Sequence, residues 1–297
     1  MAIEAAGLDW PAAPSQYRAH LLTEGDKRVR YERRDAAGRG AMTQADKAGQ
    51  LAALHVKGRP LVLYNIWDAG SARSAAKAGS KAIATGSWSM AAAHGFDDGE
   101  AIPLDLIETI VGRIASSVEL PLTVDFEGGY AQDPDGVATN AARIIKAGAV
   151  GLNFEDQIVG TGALYPIADQ AQRIRAIRNA ADSLGIPVFI NARTDLFLLE
   201  ADKTRHPGLV TAAIERARAY QQAGCSGFFI PGLLDESGIA AICNALTLPV
   251  NVMMMDGAPD RETLIRLGVS RISYGPGPYL ATQARFVEQC AASLASA

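Results

Sequence analysis

The chain repeats one unit: a short apolar run, a stretch of helical period, then a small residue followed by glycine. Apolar runs occupy 60–65, 81–86, 121–127, 149–156, 187–194, 227–232, 249–254 and 271–275. Several start just after Pro or Gly, which ends a helix and favours extended backbone. Most are apolar through their middles, as a parallel strand covered on both faces requires. Between runs, 138–147 puts Ala141, Ile144 and Ile145 on one face with Arg143 and Lys146 off it, and 170–184 and 211–223 keep the same period. The pairs Ala78-Gly79, Ala147-Gly148, Ala223-Gly224 and Leu267-Gly268 close these stretches, glycine supplying the left-handed cap that turns the chain into the next run. Eight strands alternating with helices predict an α/β fold, a (β/α)₈ TIM barrel; an open doubly wound sheet is the competitor. No GxGxxG follows the first run, which weighs against dinucleotide binding.

The chain has 297 residues, and a barrel of about 250 residues is one domain, here 46–297. Residues 1–45 differ: 24–39 is rich in charge without a clean apolar period, so an N-terminal extension is expected, a peripheral helix or a poorly ordered segment. A net charge of −4 gives no basic face for nucleic acid and no polybasic anchor for a membrane. No charge-free apolar run reaches about 18 residues, so no membrane helix is predicted. Cys225, Cys243 and Cys290 form no CxxC pair and read as reduced, buried thiols of a cytoplasmic protein. His20, His55, His94 and His206 show no HxH or HExxH spacing for zinc.

Barrel active sites lie at the C-terminal strand ends, so charged residues there are the candidates for chemistry. The third run ends Asp125-Phe126-Glu127-Gly128-Gly129. Two residues apart on a strand, Asp125 and Glu127 should share a face, and paired carboxylates call for a cation. Oxygen ligands suit Mg²⁺ or Mn²⁺. The fourth run ends Glu155-Asp156, whose side chains should face opposite ways, with Glu155 at the mouth. In the fifth, Arg193 and Asp195 share a face, and Arg193 suits a substrate carboxylate or an internal ion pair. Thr85-Gly86-Ser87 ends the second run and offers an amide nest for an anion. An acidic, glycine-rich loop follows at Gly95-Phe96-Asp97-Asp98-Gly99-Glu100.

The ordered set TGS, GFDDGE, DFEGGYA, NFEDQ, NARTD and PVNV, with the opening NIWDAGSA, resembles the isocitrate lyase/phosphoenolpyruvate mutase (phosphonomutase) family from about Ala45 onward. The resemblance implies that Asp125 holds Mg²⁺ directly or through water, with Glu127 and Glu155 as the companion acids. It places Asp98 beside metal and substrate, Arg193 and the Thr85-Gly86-Ser87 amides on the substrate carboxylate, and Asn251 at the end of the seventh strand. It also implies a homodimer exchanging the eighth helix, or a homotetramer. The family's lyases carry a K-[KR]-C-G-H loop after the ED pair; here 157–166 reads QIVGTGALYP, without Cys, His or Lys. The Lys-x-Asn-Ser-like segment of the phosphonopyruvate enzymes is missing too, and Gly232 replaces the lyases' glutamate after the sixth strand. Tyr130, Asp156 and Tyr165 are the candidate proton donors, Tyr165 the nearest. The expected activity is Mg²⁺-dependent cleavage of a C–C bond in a small 2-oxo or 2-hydroxy di- or tricarboxylate through an enolate. Phosphonate C–P chemistry is the first alternative and a non-catalytic carboxylate-binding barrel the second.

Overall fold

A computed structural model describes residues 42–295, and the unit carrying the barrel begins at Gln44. The expectation for the N-terminal extension falls almost wholly on residues 1–41, outside the described residues. The elements are α1 (Gln44–Ala53), β1 (Leu61–Leu63), α2 (Ala69–Lys77), β2 (Ile83–Ala84), α3 (Ser87–Ala93) and α4 (Leu104–Ser117). Next come β3 (Leu122–Asp125), α5 (Pro134–Lys146), β4 (Gly151–Glu155), β5 (Gln157–Ile158), β6 (Ala163–Leu164) and α6 (Ile167–Ser183). The chain continues through β7 (Phe189–Arg193), α7 (Leu196–Leu199), α8 (His206–Gln222), β8 (Gly227–Phe229) and α9 (Glu236–Ala245). It ends with β9 (Val250–Met253), α10 (Arg261–Arg266), β10 (Arg271–Ser273) and α11 (Gly277–Ala295).

Eight parallel strands pair in the order β1-β10-β9-β8-β7-β4-β3-β2. The seam between β1 and β2 is closed just past their ends, where Ile66 and Thr85 form a parallel bridge. The amide of Ile66 donates to Ala84 O at 2.8 Å and that of Gly86 to Ile66 O at 3.1 Å. The sheet is therefore a (β/α)₈ barrel. All eight predicted runs contain its strands, and Gly79, Gly148, Gly224 and Gly268 all have positive φ, as helix-closing caps require.

Strand alternation divides the side chains. Leu152, Phe154, Ile190, Ala192, Phe228, Val250, Val252 and Ile272 point outward into the layer shared with the helices. Leu61, Leu63 and Phe189 close the inner floor together with Ala48 and Leu51 of α1. His55 stacks on Phe189 with ring centroids 3.9 Å apart. Above this floor the interior is polar: Thr123, Asn153, Asn191, Asn251 and Arg271 are all buried. Asn153 Oδ1 accepts from Asn191 Nδ2 at 2.9 Å and from Arg271 at 3.0 Å.

Sequence reading missed the β5–β6 hairpin, which rises from the end of β4 with an antiparallel register. Its signal was present: Gly160 and Gly162, both at positive φ, flank Thr161 between two short apolar stretches. The three cysteines do not share one environment. Cys225 and Cys243 are buried, whereas Cys290 is exposed because α11 buries only Pro278. Among the described residues no helix is long and apolar enough to cross a membrane.

Candidate active site

A cavity of about 150 Å³ opens at the C-terminal ends of the barrel strands. Its polar wall comprises Asn65, Ser87, Asp98, Asp125, Asn153 and Arg193. Trp88, Leu198, Phe229, Met253 and Pro276 supply its apolar lining, and Ser273 adds a further hydroxyl.

Asp125 ends β3. Its Oδ2 accepts from the Ser87 hydroxyl at 2.9 Å and the Ser87 amide at 3.2 Å. The Asp125 amide donates to Thr85 Oγ1 at 2.9 Å. The other oxygen, Oδ1, is buried without a protein partner. A carboxylate held by one oxygen and presenting the other is suited to a ligand from the cavity. The amide nest expected at Thr85-Gly86-Ser87 is not open, because its three N–H groups are already bonded to Thr123 O, Ile66 O and Asp125. Gly86 and Ser87 line the cavity; Thr85 stands behind it and orients Asp125.

Glu127 does not stand beside Asp125 on a shared strand face. The strand stops at Asp125, and Glu127 has φ +50°, so the alternation assumed from sequence ends first. Its carboxylate accepts from the Glu100 amide at 2.7 Å and the Tyr130 hydroxyl at 2.8 Å. Burial pushes the Glu127 carboxyl up to about 7; those hydrogen bonds oppose the rise, and the charges of Asp125 and Asp98 add to it. Glu100 and Tyr130 also have positive φ, at 60° and 57°, so three non-glycine residues share this uncommon backbone region around one carboxylate.

Glu155 and Asp156 do face opposite ways. Glu155, at the mouth, lies 3.1 Å from Arg193. Burial raises its carboxyl well above the usual range, Arg193 opposes this, and Asp195, Asp125 and Glu127 reinforce it. Asp156 points into the helix layer, where it accepts from Tyr220 at 2.9 Å, Arg216 at 3.1 Å and the Asp195 amide at 3.0 Å. It is a structural acid.

Arg193 is gripped by Asp195 at 2.5 and 2.8 Å as well as by Glu155. Burial alone would lower its pKa, but these carboxylates more than offset that and raise it. Three of its five N–H groups face those acids, which leaves two for an anion in the cavity. Asn251 lies below the mouth, its Oδ1 3.4 Å from the Ser273 hydroxyl and its Nδ2 buried without a partner.

Tyr165 is placed away from this cavity. It lines a second one of about 240 Å³ under the β5–β6 hairpin, with Glu100, Tyr130 and Gln157. Its ring lies 4.0 Å from the guanidinium carbon of Arg173. Arg173 is the functional neighbour that sequence reading missed: it donates to the carbonyls of Gly128 and Ala131 and so clamps the loop carrying Glu127. Only its helical setting was legible, not its inward direction.

Asp98 and Asp125 thus line the cavity, Glu127 and Glu155 lie behind it within reach of their charge, and Arg193 is already paired with Glu155 and Asp195. Among the described residues no three His, Cys, Asp or Glu side chains are arranged to hold a metal by themselves. The donor set still fits a hard divalent ion such as Mg²⁺, which uses one or two carboxylates and keeps water or substrate oxygens for the rest. The unpartnered Asp125 Oδ1 is the atom that would bind first.

Acidic residues at the C-terminal strand ends place the chemistry at the barrel mouth, and comparison with known proteins gives its class. The phosphoenolpyruvate phosphomutase family model matches residues 51–294. The chain belongs to the isocitrate lyase/phosphoenolpyruvate mutase superfamily. It is similar to 2-methylisocitrate lyase of Escherichia coli K12, 32% identical over 200 residues that cover 65% of each chain. It also resembles the oxaloacetate decarboxylase of Bradyrhizobium sp. BTAi1, 30% identical over 66% of each chain. A crystal structure from Burkholderia cenocepacia J2315, provisionally assigned as a phosphonomutase, is 46% identical with a TM-score of 0.80, covering 83% of this chain and 99% of that one.

Proposed function

We propose that this chain is a Mg²⁺-dependent lyase or decarboxylase that cleaves a C–C bond in a small 2-oxo or 2-hydroxy di- or tricarboxylate through an enolate. The observation that carries the proposal is Asp125: one oxygen fixed by Ser87, the other buried, unpartnered and beside the cavity. Asp125 would hold the ion, with Glu127 and Glu155 acting through water. A bound Mg²⁺ would polarise the 2-oxo group and draw electron density from the bond that breaks. Arg193 offers its two remaining N–H groups to the substrate carboxylate, and its pairing with Glu155 and Asp195 keeps the guanidinium from turning away. Asp98, exposed at the rim, is placed to meet substrate as it enters. The hairpin supplies no Cys, His or Lys as a proton donor, so decarboxylation, in which water can protonate the enolate, suits the site best.

The test is an NMR screen with Mg²⁺ of oxaloacetate, methylisocitrate, isocitrate, dimethylmalate and phosphonopyruvate. A cleavage product that needs both metal and intact Asp125, and is lost in Asp125→Ala, is the expected result. Phosphate or phosphoenolpyruvate from phosphonopyruvate would instead establish the C–P chemistry suggested by the Burkholderia likeness. Metal binding without turnover of any acid would leave a carboxylate-binding barrel. A second copy seated on α11 belongs to the same proposal, as does a homodimer or homotetramer.

A further inference from the structure

Asn153 stands in the middle of β4, with Asp125 of β3 and Asn191 of β7 as its register partners. Arg271 reaches it from β10, the strand opposite β4 across the barrel. A guanidinium has only hydrogens to offer, so the end of the Asn153 amide that meets it must be the carbonyl. Arg271 Nη2 accordingly donates to Asn153 Oδ1 at 3.0 Å, and the same oxygen accepts from Asn191 Nδ2 at 2.9 Å. Asn191 is held in turn: a Cβ on Gly227 would come within 2.9 Å of its Oδ1, so the missing side chain there makes room for the amide. With Oδ1 committed twice, the Asn153 amide cannot turn over. Nδ2, which donates to no described residue, is the end left for the cavity that Asn153 lines.

The clamp destabilises the fold that carries it. Arg271 is completely buried, and its Nε and Nη1 have no hydrogen-bond partner among the described residues. Burial lowers its pKa to about 9, against the charge of Asp125. Buried N–H groups left unmatched disfavour folding, and such departures concentrate where a site is being built. Donors for a substrate anion are also few. Asn65 is tied to Thr85 O at 2.8 Å, and the Ser87 and Ser273 hydroxyls go to Asp125 at 2.9 Å and Asn251 at 3.4 Å. The Thr85–Ser87 amides are taken as well.

We infer that Asn153 is a substrate-binding residue, its Nδ2 hydrogen-bonding the oxygen on which the enolate charge gathers, and that Arg271 positions it by fixing Oδ1. The inference rests on the lyase proposal and adds a donor to its site. The 2-oxo group belongs on the Asp125 side, where that acid would hold the ion, and Asp125 and Asn153 are neighbours on adjacent strands. A donor already aimed at that oxygen needs no reorganisation as charge builds, so it favours the transition state over the ground state. Arg193 keeps the substrate carboxylate.

The test uses Asn153→Asp and Arg271→Met at saturating Mg²⁺. Asn153→Asp keeps an oxygen for Arg271 and Asn191 and replaces only the nitrogen left to the cavity. Its thermal midpoint should not fall, while kcat on whichever acid the native protein cleaves should drop about 100-fold or more. Oxalate, a planar dianion with the shape of a 2-oxo acid enolate, should bind at least about tenfold more weakly in calorimetry. Arg271→Met frees the Asn153 amide to turn. Its kcat should fall about tenfold with KM within about twofold and no loss of thermal midpoint, a split that a purely structural role does not produce. Retained kcat and oxalate affinity in Asn153→Asp, or activity lost only in step with stability in Arg271→Met, overturns the inference while leaving the lyase proposal standing. If the native protein turns over no acid, the lyase proposal fails and oxalate calorimetry alone decides. Oxalate bound equally well by the native protein and Asn153→Asp, or by neither, then overturns the inference.

Discussion

Tyr165 and Asp156 were both candidates for a proton-transfer role, and both side chains are placed for other work. Tyr165 stacks on Arg173 outside the cavity. Tyr165→Phe should therefore keep kcat within about twofold, while Tyr165→Ala should cost about 1–2 kcal/mol of stability in urea titration. A large loss of kcat in the Phe variant would return the hydroxyl to the mechanism. Asp156 is buried and accepts three hydrogen bonds, so Asp156→Ala should destabilise by about 3–5 kcal/mol through the Arg216 and Tyr220 groups it strands. His55 offers a pH test. Its Nδ1 lies 2.8 Å from Leu51 O and its Nε2 is buried without a partner. Burial, helped by the charge of Arg271, lowers its pKa to about 3. The unfolded chain binds that proton near pH 6.5, so folding loses stability as pH falls from there toward 3. His55→Phe should show a flatter decline between pH 6.5 and 4.5, measured as the shift in urea midpoint; parallel curves would sink this account.

At the scale of elements, the helix-to-strand turns and the hairpin carry the fold's local logic. Gly148 has φ +119°, and a Cβ there would meet Ala115 Cβ at 2.5 Å. Gly148→Ala should cost about 2–3 kcal/mol, from left-handed strain and overpacking of α4 together. Gly185, also left-handed but open around its Cβ position, should cost only about 1 kcal/mol on the same change, from strain alone. Equal losses at the two sites in thermal unfolding would show that packing at Gly148 contributes nothing. The β5–β6 hairpin stands where a proton-shuttling loop was sought, and its short antiparallel register brings Tyr165 down over Arg173.

For the whole molecule, α11 is an element that the other described residues leave largely uncovered. Leu280, Phe286, Val287 and Leu294 are at least 49% exposed along a 19-residue helix that buries only Pro278. A helix so poorly covered gains little from tertiary packing, and this is the physical ground for the second copy proposed above. Light scattering should give a mass of two or four chains, and Phe286→Lys combined with Val287→Lys should shift it toward one. A monomeric native protein would remove the second copy from the proposal.

The barrel was legible along the chain, because period and punctuation are local: eight apolar runs, helical stretches between them, and glycines where φ must turn positive. It also picked out Asp125, Glu155 and Arg193, since a strand end fixes both height and face. Tertiary structure decided what alternation cannot reach. Glu127 leaves the strand before its parity applies, so only the surrounding loop sets where its carboxylate goes. The Thr85–Ser87 amides looked free in sequence but are spent on Thr123, Ile66 and Asp125, partners 20 to 38 residues away. Arg173 turns inward to clamp that loop. The apolar lining of the mouth is assembled from β8, β9 and the ends of three other repeats. None of these could be read along the chain, because each arises from residues that only barrel closure brings together.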